Sequence, residues 1–216
     1  MTNVLIVDDE RNIRKAFAAD VASAPDRYAL VDSIPGAESA LPLCAAGKID
    51  LIIMDINTAN YENGIEVSAR IKQRWPQIKI IVTTSYSDLR TLEQARRAGV
   101  DSFWFKDYSD IELLEVMDIT MAGGTWYPAE KPNVAIGNTT LAGLTARQLE
   151  ILYLLPDCIS NAAIAKQLYI TEDTVKDHIR ELLRKTGCRS KPQLISLATQ
   201  SKLVIPKPKS LKPTEE

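Results

Sequence analysis

Five short runs of aliphatic and aromatic residues recur through the first 120 positions of the chain: Val4–Val7, Tyr28–Val31, Leu51–Met54, Ile78–Val82 and Ser102–Phe105. Longer segments with helical spacing separate them, marked by Ile13, Phe17 and Val21, by Val67 and Ile71, and by Leu89, Leu92 and Ala95. Strands that do not alternate apolar with polar residues are buried on both faces, and their alternation with helices implies a parallel sheet covered on each side. Five such strands predict an α/β, flavodoxin-like, doubly wound parallel fold. Local signals agree with this: Asp88 is placed to cap a helix ending at Gly99, and Ser109 with Glu112 spells a capping box for a helix running to Ala122. Pro42 falls inside the expected second helix and should kink or delay it.

In a doubly wound sheet, chemistry collects at the carboxyl ends of the strands. Here the first strand ends in Asp8 and Asp9, the third in Asp55, the fourth in Thr83 and Thr84, and the fifth in Lys106. Three carboxylates on neighbouring strand ends repel one another unless a cation lies between them, and an all-oxygen donor set suits Mg²⁺. A lysine and a hydroxyl nearby supply what a transferred phosphoryl group needs, which is charge neutralisation. An aspartate can itself act as the nucleophile and become an acyl phosphate, and Asp55 is central in the set.

On the segments VLIVDDE, DLIIMDIN, IIVTTS and AGVDSFWFKD, residues 1–122 resemble a response-regulator receiver domain. The resemblance implies that Asp9 and Asp55 ligate Mg²⁺ directly, with Asp8 close by and the backbone carbonyl of Asn57 completing the protein ligands. Asp55 would accept a phosphoryl group from a histidine kinase and Lys106 would pair with the phosphoryl oxygens. Counting back from Gly99 favours Thr84 over Thr83 as the switch hydroxyl, and Phe103 matches the switch aromatic. The loop after Asp55, INTANYENG, departs from the family: Ala59 stands where proline is usual, and Gly64 comes one residue late.

The segment 123–142 is rich in Gly, Pro, Asn and Thr and reads as a linker, with Trp126 and Tyr127 folding back on the receiver. Four short helices are expected next. Thr145 with Gln148 opens the first, Ser160 the second, Thr171 a longer third that ends at Gly187, and Pro192 starts the last. On the third, Val175, Ile179, Leu182 and Leu183 share a core face, while Lys176, Asp177, Arg180 and Arg184 lie opposite, with His178 and Lys185 at the edge. Residues 143–202 resemble the LuxR/NarL-type helix-turn-helix domain on LTARQLEIL and SNAAIAKQLYITEDTVKDHIRELLRKTG. The resemblance implies that Lys176, Asp177 and Arg180 face bases, that His178 and Lys185 touch the DNA backbone, and that Gln193, Leu194 and Leu197 form a dimer contact. It also marks Ala163 as a departure, since glutamate there would complete a capping box with Ser160. Residues 203–216 read as a disordered tail.

Charge supports two functions. Residues 1–120 hold 13 Lys/Arg and 19 Asp/Glu, whereas residues 121–216 hold 13 and 9, so the net charge of −2 is a cancellation between an acidic front and a basic back. Cys44, Cys158 and Cys188 are too widely spaced for a Cys-x-x-Cys site and read as reduced thiols. The start lacks a basic n-region and reads as no signal peptide, and no apolar run reaches the roughly 20 residues that span a bilayer, so a cytoplasmic protein is expected. The combined expectation is a DNA-binding response regulator that dimerises when phosphorylated on Asp55 and recognises a double-stranded operator, with no external enzymatic product. Two rivals are a phosphorylation-independent DNA binder whose receiver is a dimerisation scaffold, and a haloacid-dehalogenase-like phosphatase. The latter wants a second aspartate where Asn57 stands.

Overall fold

The computed structural model describes residues 1–88, 90–128, 134–157 and 160–204. The chain divides into two compact units, an N-terminal one that carries the sheet and a C-terminal one built of helices.

The N-terminal unit runs β1 (Thr2–Val7), α1 (Arg11–Ala22), β2 (Tyr28–Ile34), α2 (Ala40–Ala45) and β3 (Leu51–Asp55). A short ribbon follows, β4 (Asn57–Thr58) with β5 (Glu62–Asn63), and then α3 (Gly64–Arg74), β6 (Lys79–Thr84), α4 (Arg90–Arg97), β7 (Ser102–Phe105) and α5 (Leu113–Met121). The main sheet is parallel with order β2-β1-β3-β6-β7. One sheet face, through Val4, Ile6, Ile53 and Ile81, packs on Phe17 and Val21 of α1 and on Val116 and Met117 of α5. The alternate residues, Leu5, Ile52, Ile80 and Val82, are equally buried, with α3 against β3 and β6 on the side that right-handed crossovers assign to it. β2 is an edge strand with Leu30 and Val31 exposed, which explains its weak hydrophobic signal.

Three local expectations meet different outcomes. Pro42 sits in the first turn of α2, a helix of only six residues separated from the end of β2 by five residues, so the delay is real. The Ser109–Glu112 box does not form. Ser109 Oγ instead accepts the Phe105 N–H at 3.1 Å, and α5 starts later with Glu112 as an N-cap that makes no side-chain bond. Gly124–Pro128 folds back along β7: Phe103 N–H donates to the Trp126 carbonyl at 2.7 Å, and Trp126 N–H donates to Ser102 Oγ at 3.0 Å.

The C-terminal unit comprises a hairpin, β8 (Ala135–Ile136) with β9 (Thr139–Thr140), then α6 (Ala146–Leu154), α7 (Asn161–Leu168), α8 (Glu172–Thr186) and α9 (Lys191–Gln200). Its core joins Leu149 and Leu152 of α6, Ile164 of α7, Val175 and Leu182 of α8, and Leu194 and Ala198 of α9. Ile136 and Leu141 are fully buried in the same core, so part of the segment read as linker belongs to this unit; residues 129–133 lie outside the described residues. At the hairpin turn, Gly137 has φ +58°, and a Cβ there would come within 2.0 Å of the Thr186 carbonyl oxygen. Only glycine lets the turn dock on the end of α8. Leu203 and Val204, read as the start of a disordered tail, are also buried in this core, and residues 205–216 lie outside the described residues. Cys44 and Cys188 are buried free thiols, and Cys158 lies outside the described residues.

Candidate functional sites

The sheet order brings the strand ends together. β1 and β3 are neighbours, so Asp8, Asp9 and Asp55 gather at the carboxyl end of the sheet, with one carboxylate oxygen from each within 4.8 Å of the others. Lys106, from the end of β7, reaches across β6: its Nζ lies 2.5 Å from Asp8 Oδ2 and 3.0 Å from Asp55 Oδ1. Its own N–H donates to the Thr84 carbonyl at 2.8 Å, which fixes where the side chain starts. Asp8 and Asp55 are buried while Asp9 is exposed, so the group opens to solvent on one side.

One ammonium among three carboxylates leaves the cluster electrostatically unbalanced. Burial pushes the Asp55 carboxyl from an ordinary 3.8 up to about 7, opposed by Lys106 and reinforced by the charges of Asp8 and Asp9. Burial disfavours the Lys106 ammonium, yet the Asp55 and Asp8 carboxylates outweigh it and raise its pKa. A hard divalent cation fits this donor set, since it offsets the surplus charge with oxygen ligands only. Asn57 lies two residues beyond Asp55 in β4 and is half-buried.

Arg14 is a member of the site that sequence reasoning did not single out. Its Nη1 donates to the carbonyl oxygens of Asp8 at 2.6 Å and Asp9 at 3.0 Å, while Glu10 N–H donates to Asp8 Oδ1 at 2.9 Å. The guanidinium thus ties the turn that carries both carboxylates to α1. A signal was present: Arg11 and Arg14 stand near the N-terminus of α1, where the helix dipole disfavours cations.

The unusual loop after Asp55 resolves into the β4–β5 ribbon. The extra residue is taken up in the turn Ala59–Tyr61, where Asn60 and Tyr61 both adopt left-handed φ, 61° and 60°. The ribbon is anchored to the loop after β2: Ala59 N–H donates to the Pro35 carbonyl at 2.9 Å, and Thr58 Oγ1 accepts Ala37 N–H at 3.1 Å. Gly64 N–H closes the loop on the Ile56 carbonyl at 2.8 Å. A Cβ on Gly64 would lie 1.9 Å from the Asp55 carbonyl oxygen, so α3 approaches the phosphoacceptor candidate closely only because this residue is glycine.

The two threonines separate by strand alternation. Register pairs Val82 with Phe103 and Thr84 with Phe105, so Thr84 shares a sheet face with both aromatics. Thr83 lies on the opposite face, in register with Asp55, and its buried Oγ1 has no hydrogen-bond partner among the described residues. Phe103 is fully buried, edge-on to Phe105 at 5.1 Å and stacked on Tyr127 at 6.2 Å. The Arg96 guanidinium covers the Tyr127 ring at 4.6 Å.

In the C-terminal unit, α7 and α8 are joined by a tight turn. Tyr169 ends α7 with φ 54° and is 95% exposed; Ile170 follows, and Thr171 caps α8 by accepting the Thr174 N–H at 3.2 Å. Thr145 and Gln148 form both bonds of their capping box. Ser160 still accepts the Ala163 N–H at 3.2 Å, so the missing glutamate removes only the reciprocal bond. Lys176, Asp177, Arg180 and Arg184 all project from the exposed face of α8, and His178 is half-buried.

Lys185, expected at a DNA backbone, is engaged internally instead. Its Nζ donates to the Gly143 carbonyl at 2.8 Å and to Gln148 Oε1 at 3.0 Å, tying α8 to the start of α6. Leu194, expected at a dimer contact, has no exposed surface because it faces the core; Gln193 is exposed and Leu197 half-buried on the same helix.

Comparison with known proteins agrees with this arrangement. The family described as "Response regulator receiver domain" matches residues 4–118, and "Bacterial regulatory proteins, luxR family" matches residues 142–198. The chain is 27% identical to the transcriptional regulatory protein DegU of Brevibacillus brevis over 89% of this chain and 90% of that protein. It is 29% identical to the response regulator protein VraR of Staphylococcus aureus over 93% and 98%. Its fold is like that of RcsB from Salmonella enterica serovar Typhimurium, solved bound to the promoter rprA with phosphomimetic BeF3⁻. There the TM-score is 0.60, with 18% identity over 91% of this chain and 98% of that one.

Proposed function

Because this chain belongs to the response-regulator family and carries a LuxR-type DNA-binding domain, we propose that Asp55 is its phosphoacceptor and that phosphorylation controls DNA binding through α8. It is a transcription regulator and not an enzyme in the usual sense. The observation that carries the proposal is the buried group of Asp8, Asp55 and Lys106, with Asp9 at its open side. An ammonium held by two buried carboxylates is placed to receive phosphoryl oxygens. The neighbouring hydroxyl of Thr84 lies on the sheet face that leads to Phe103.

In the transfer, an Asp55 carboxylate oxygen forms a bond to phosphorus as the bond from phosphorus to the donor breaks, the donor being the phosphohistidine of a histidine kinase. Lys106 then pairs with the phosphoryl oxygens, and Thr84 donates its hydroxyl to one of them. Asp8, Asp9, Asp55 and the Asn57 carbonyl would hold Mg²⁺, which when bound supplies positive charge to the carboxylates and to the transferred group. Arg14 keeps the Asp8–Asp9 turn in place throughout. In the DNA complex, Lys176, Asp177 and Arg180 face base edges in the major groove of an operator, with Arg184 and His178 toward phosphates, and two protomers associate through exposed α9 residues such as Gln193.

The test is chemical. Acetyl phosphate with Mg²⁺ should label the wild-type chain with an acid-labile phosphoryl group, and Asp55→Asn should take up none. Equal labelling of the two would overturn the assignment. One observation favours a second reading, in which the receiver is a phosphorylation-independent dimerisation scaffold: Phe103 is already buried between Phe105 and Tyr127. Labelling that leaves DNA affinity unchanged would support that reading.

A further inference from the structure

A helix that enters DNA is expected to be basic, but α8 is not. Glu172, Asp173, Asp177 and Glu181 cancel Lys176, Arg180, Arg184 and Lys185. The cancellation is organised. Each cation of the exposed face pairs with the acid three residues before it: Lys176 with Asp173 at 2.8 Å, Arg180 with Asp177 at 2.7 Å and Arg184 with Glu181 at 2.9 Å. Helical geometry turns three acids spaced by four residues into one ridge and three cations spaced by four into a second ridge beside it. Lys185, the remaining cation, is held by Gly143 and Gln148. The surface that the proposed function sends into the major groove is therefore a zwitterionic double ridge.

We propose that Asp173, Asp177 and Glu181 act as a specificity filter: they suppress sequence-independent binding by α8 and restrict it to base edges that satisfy acid and cation together. The inference rests on the reading of α8 as the DNA-entering helix. Non-specific binding is the sum of cation–phosphate contacts, and a cation already paired with a carboxylate adds little to it. Exposed pairs of this kind are worth at most about 1 kcal/mol, so a correct base edge can open them. In the major groove, arginine and lysine donate to guanine O6 and N7, whereas a carboxylate accepts only from the exocyclic amines of cytosine and adenine. On a wrong sequence the acid ridge faces acceptors and phosphates and repels them. The acids thus convert a basic helix that would hold any duplex into one that discriminates.

The experiment uses the full-length chain and two probes, a fixed random-sequence duplex and a duplex enriched by the wild-type chain from a randomised library. Asp173→Asn, Asp177→Asn and Glu181→Gln are each expected to tighten binding to the random duplex by at least about threefold at low salt and to steepen its salt dependence by up to about one. The affinity ratio of enriched to random duplex should fall by a comparable factor. Unchanged or weaker random-duplex binding in all three variants would overturn the filter. Lys176→Ala with Arg180→Ala is the control: if that double variant binds both duplexes as the wild type does, α8 is not the DNA-entering helix, and the filter fails with it. Asp173, Lys176, Asp177 and Arg180 are exposed and Glu181 is half-buried, and an unchanged far-ultraviolet spectrum verifies that each variant is folded.

Discussion

Replacing Asp55 with asparagine should abolish phosphorylation and at the same time make the metal-free receiver more stable. The structure sets the size of the effect. Burial, with Asp8 and Asp9 adding to it against Lys106, holds the Asp55 carboxyl at about 7 where the unfolded chain has it at 3.8. The native state therefore binds this proton more tightly than the unfolded state. Its contribution to stability is fully present below 3.8 and is lost as pH rises through 7. At about 1.4 kcal/mol per decade, the interval corresponds to roughly 4 kcal/mol by pH 8, of which roughly 3 kcal/mol builds up between pH 5 and pH 8. Asparagine mimics the neutral acid, so Asp55→Asn should exceed wild type by about 2–4 kcal/mol at pH 8 without divalent cations, and the gap should narrow by about 3 kcal/mol at pH 5. Urea denaturation followed by tryptophan fluorescence reads the receiver alone, because Trp75, Trp104 and Trp126 are the chain's three tryptophans. Adding Mg²⁺ should stabilise the wild type and leave the variant nearly unchanged. A variant no more stable than wild type at pH 8, or a gap independent of pH, would refute the reasoning.

Thr83→Val should stabilise the receiver by about 1 kcal/mol, because it removes a buried hydroxyl that has no partner among the described residues, and should leave phosphorylation intact; Thr84→Val should be labelled by acetyl phosphate yet fail to change DNA affinity. Gly64→Ala should cost the receiver about 1–3 kcal/mol in urea denaturation and slow labelling of Asp55, since the new Cβ meets the Asp55 carbonyl. Lys185→Ala should lower the thermal stability of the C-terminal unit by about 1 kcal/mol without altering the salt slope of DNA binding, whereas Lys176→Ala should cost about 1–3 kcal/mol of affinity for the enriched duplex.

The acidic strand-end site was legible because parallel strands buried on both faces have few polar residues except at their ends. Asp8, Asp9, Asp55 and Lys106 stand out against that background, and the strand order then brings them together. Thr84 could be preferred over Thr83 by counting, but which sheet face each occupies follows from the pairing of β6 with β7, which a single strand does not reveal. The β8–β9 hairpin escaped notice since two-residue strands have no periodicity, and a Gly- and Asn-rich turn reads as linker even when glycine is there for close packing. Ser109 spelled a capping box but found a better partner in the Phe105 N–H. Lys185 and Leu194 were misplaced for the same reason: helical periodicity separates inward from outward faces, while edge positions are decided by neighbouring elements. Arg14 was missed because its partners are backbone carbonyls, so the only trace in the sequence was a cation near the N-terminus of α1.

The account turns on whether phosphate at Asp55 controls DNA binding, and the direct measurement is the affinity of the full-length chain for its enriched duplex with and without acetyl phosphate and Mg²⁺, beside Asp55→Asn. Tighter binding by the phosphorylated wild type, with no response in the variant, is the expected result. Equal affinity in the presence and absence of phosphate, with Asp55 fully labelled, would contradict it.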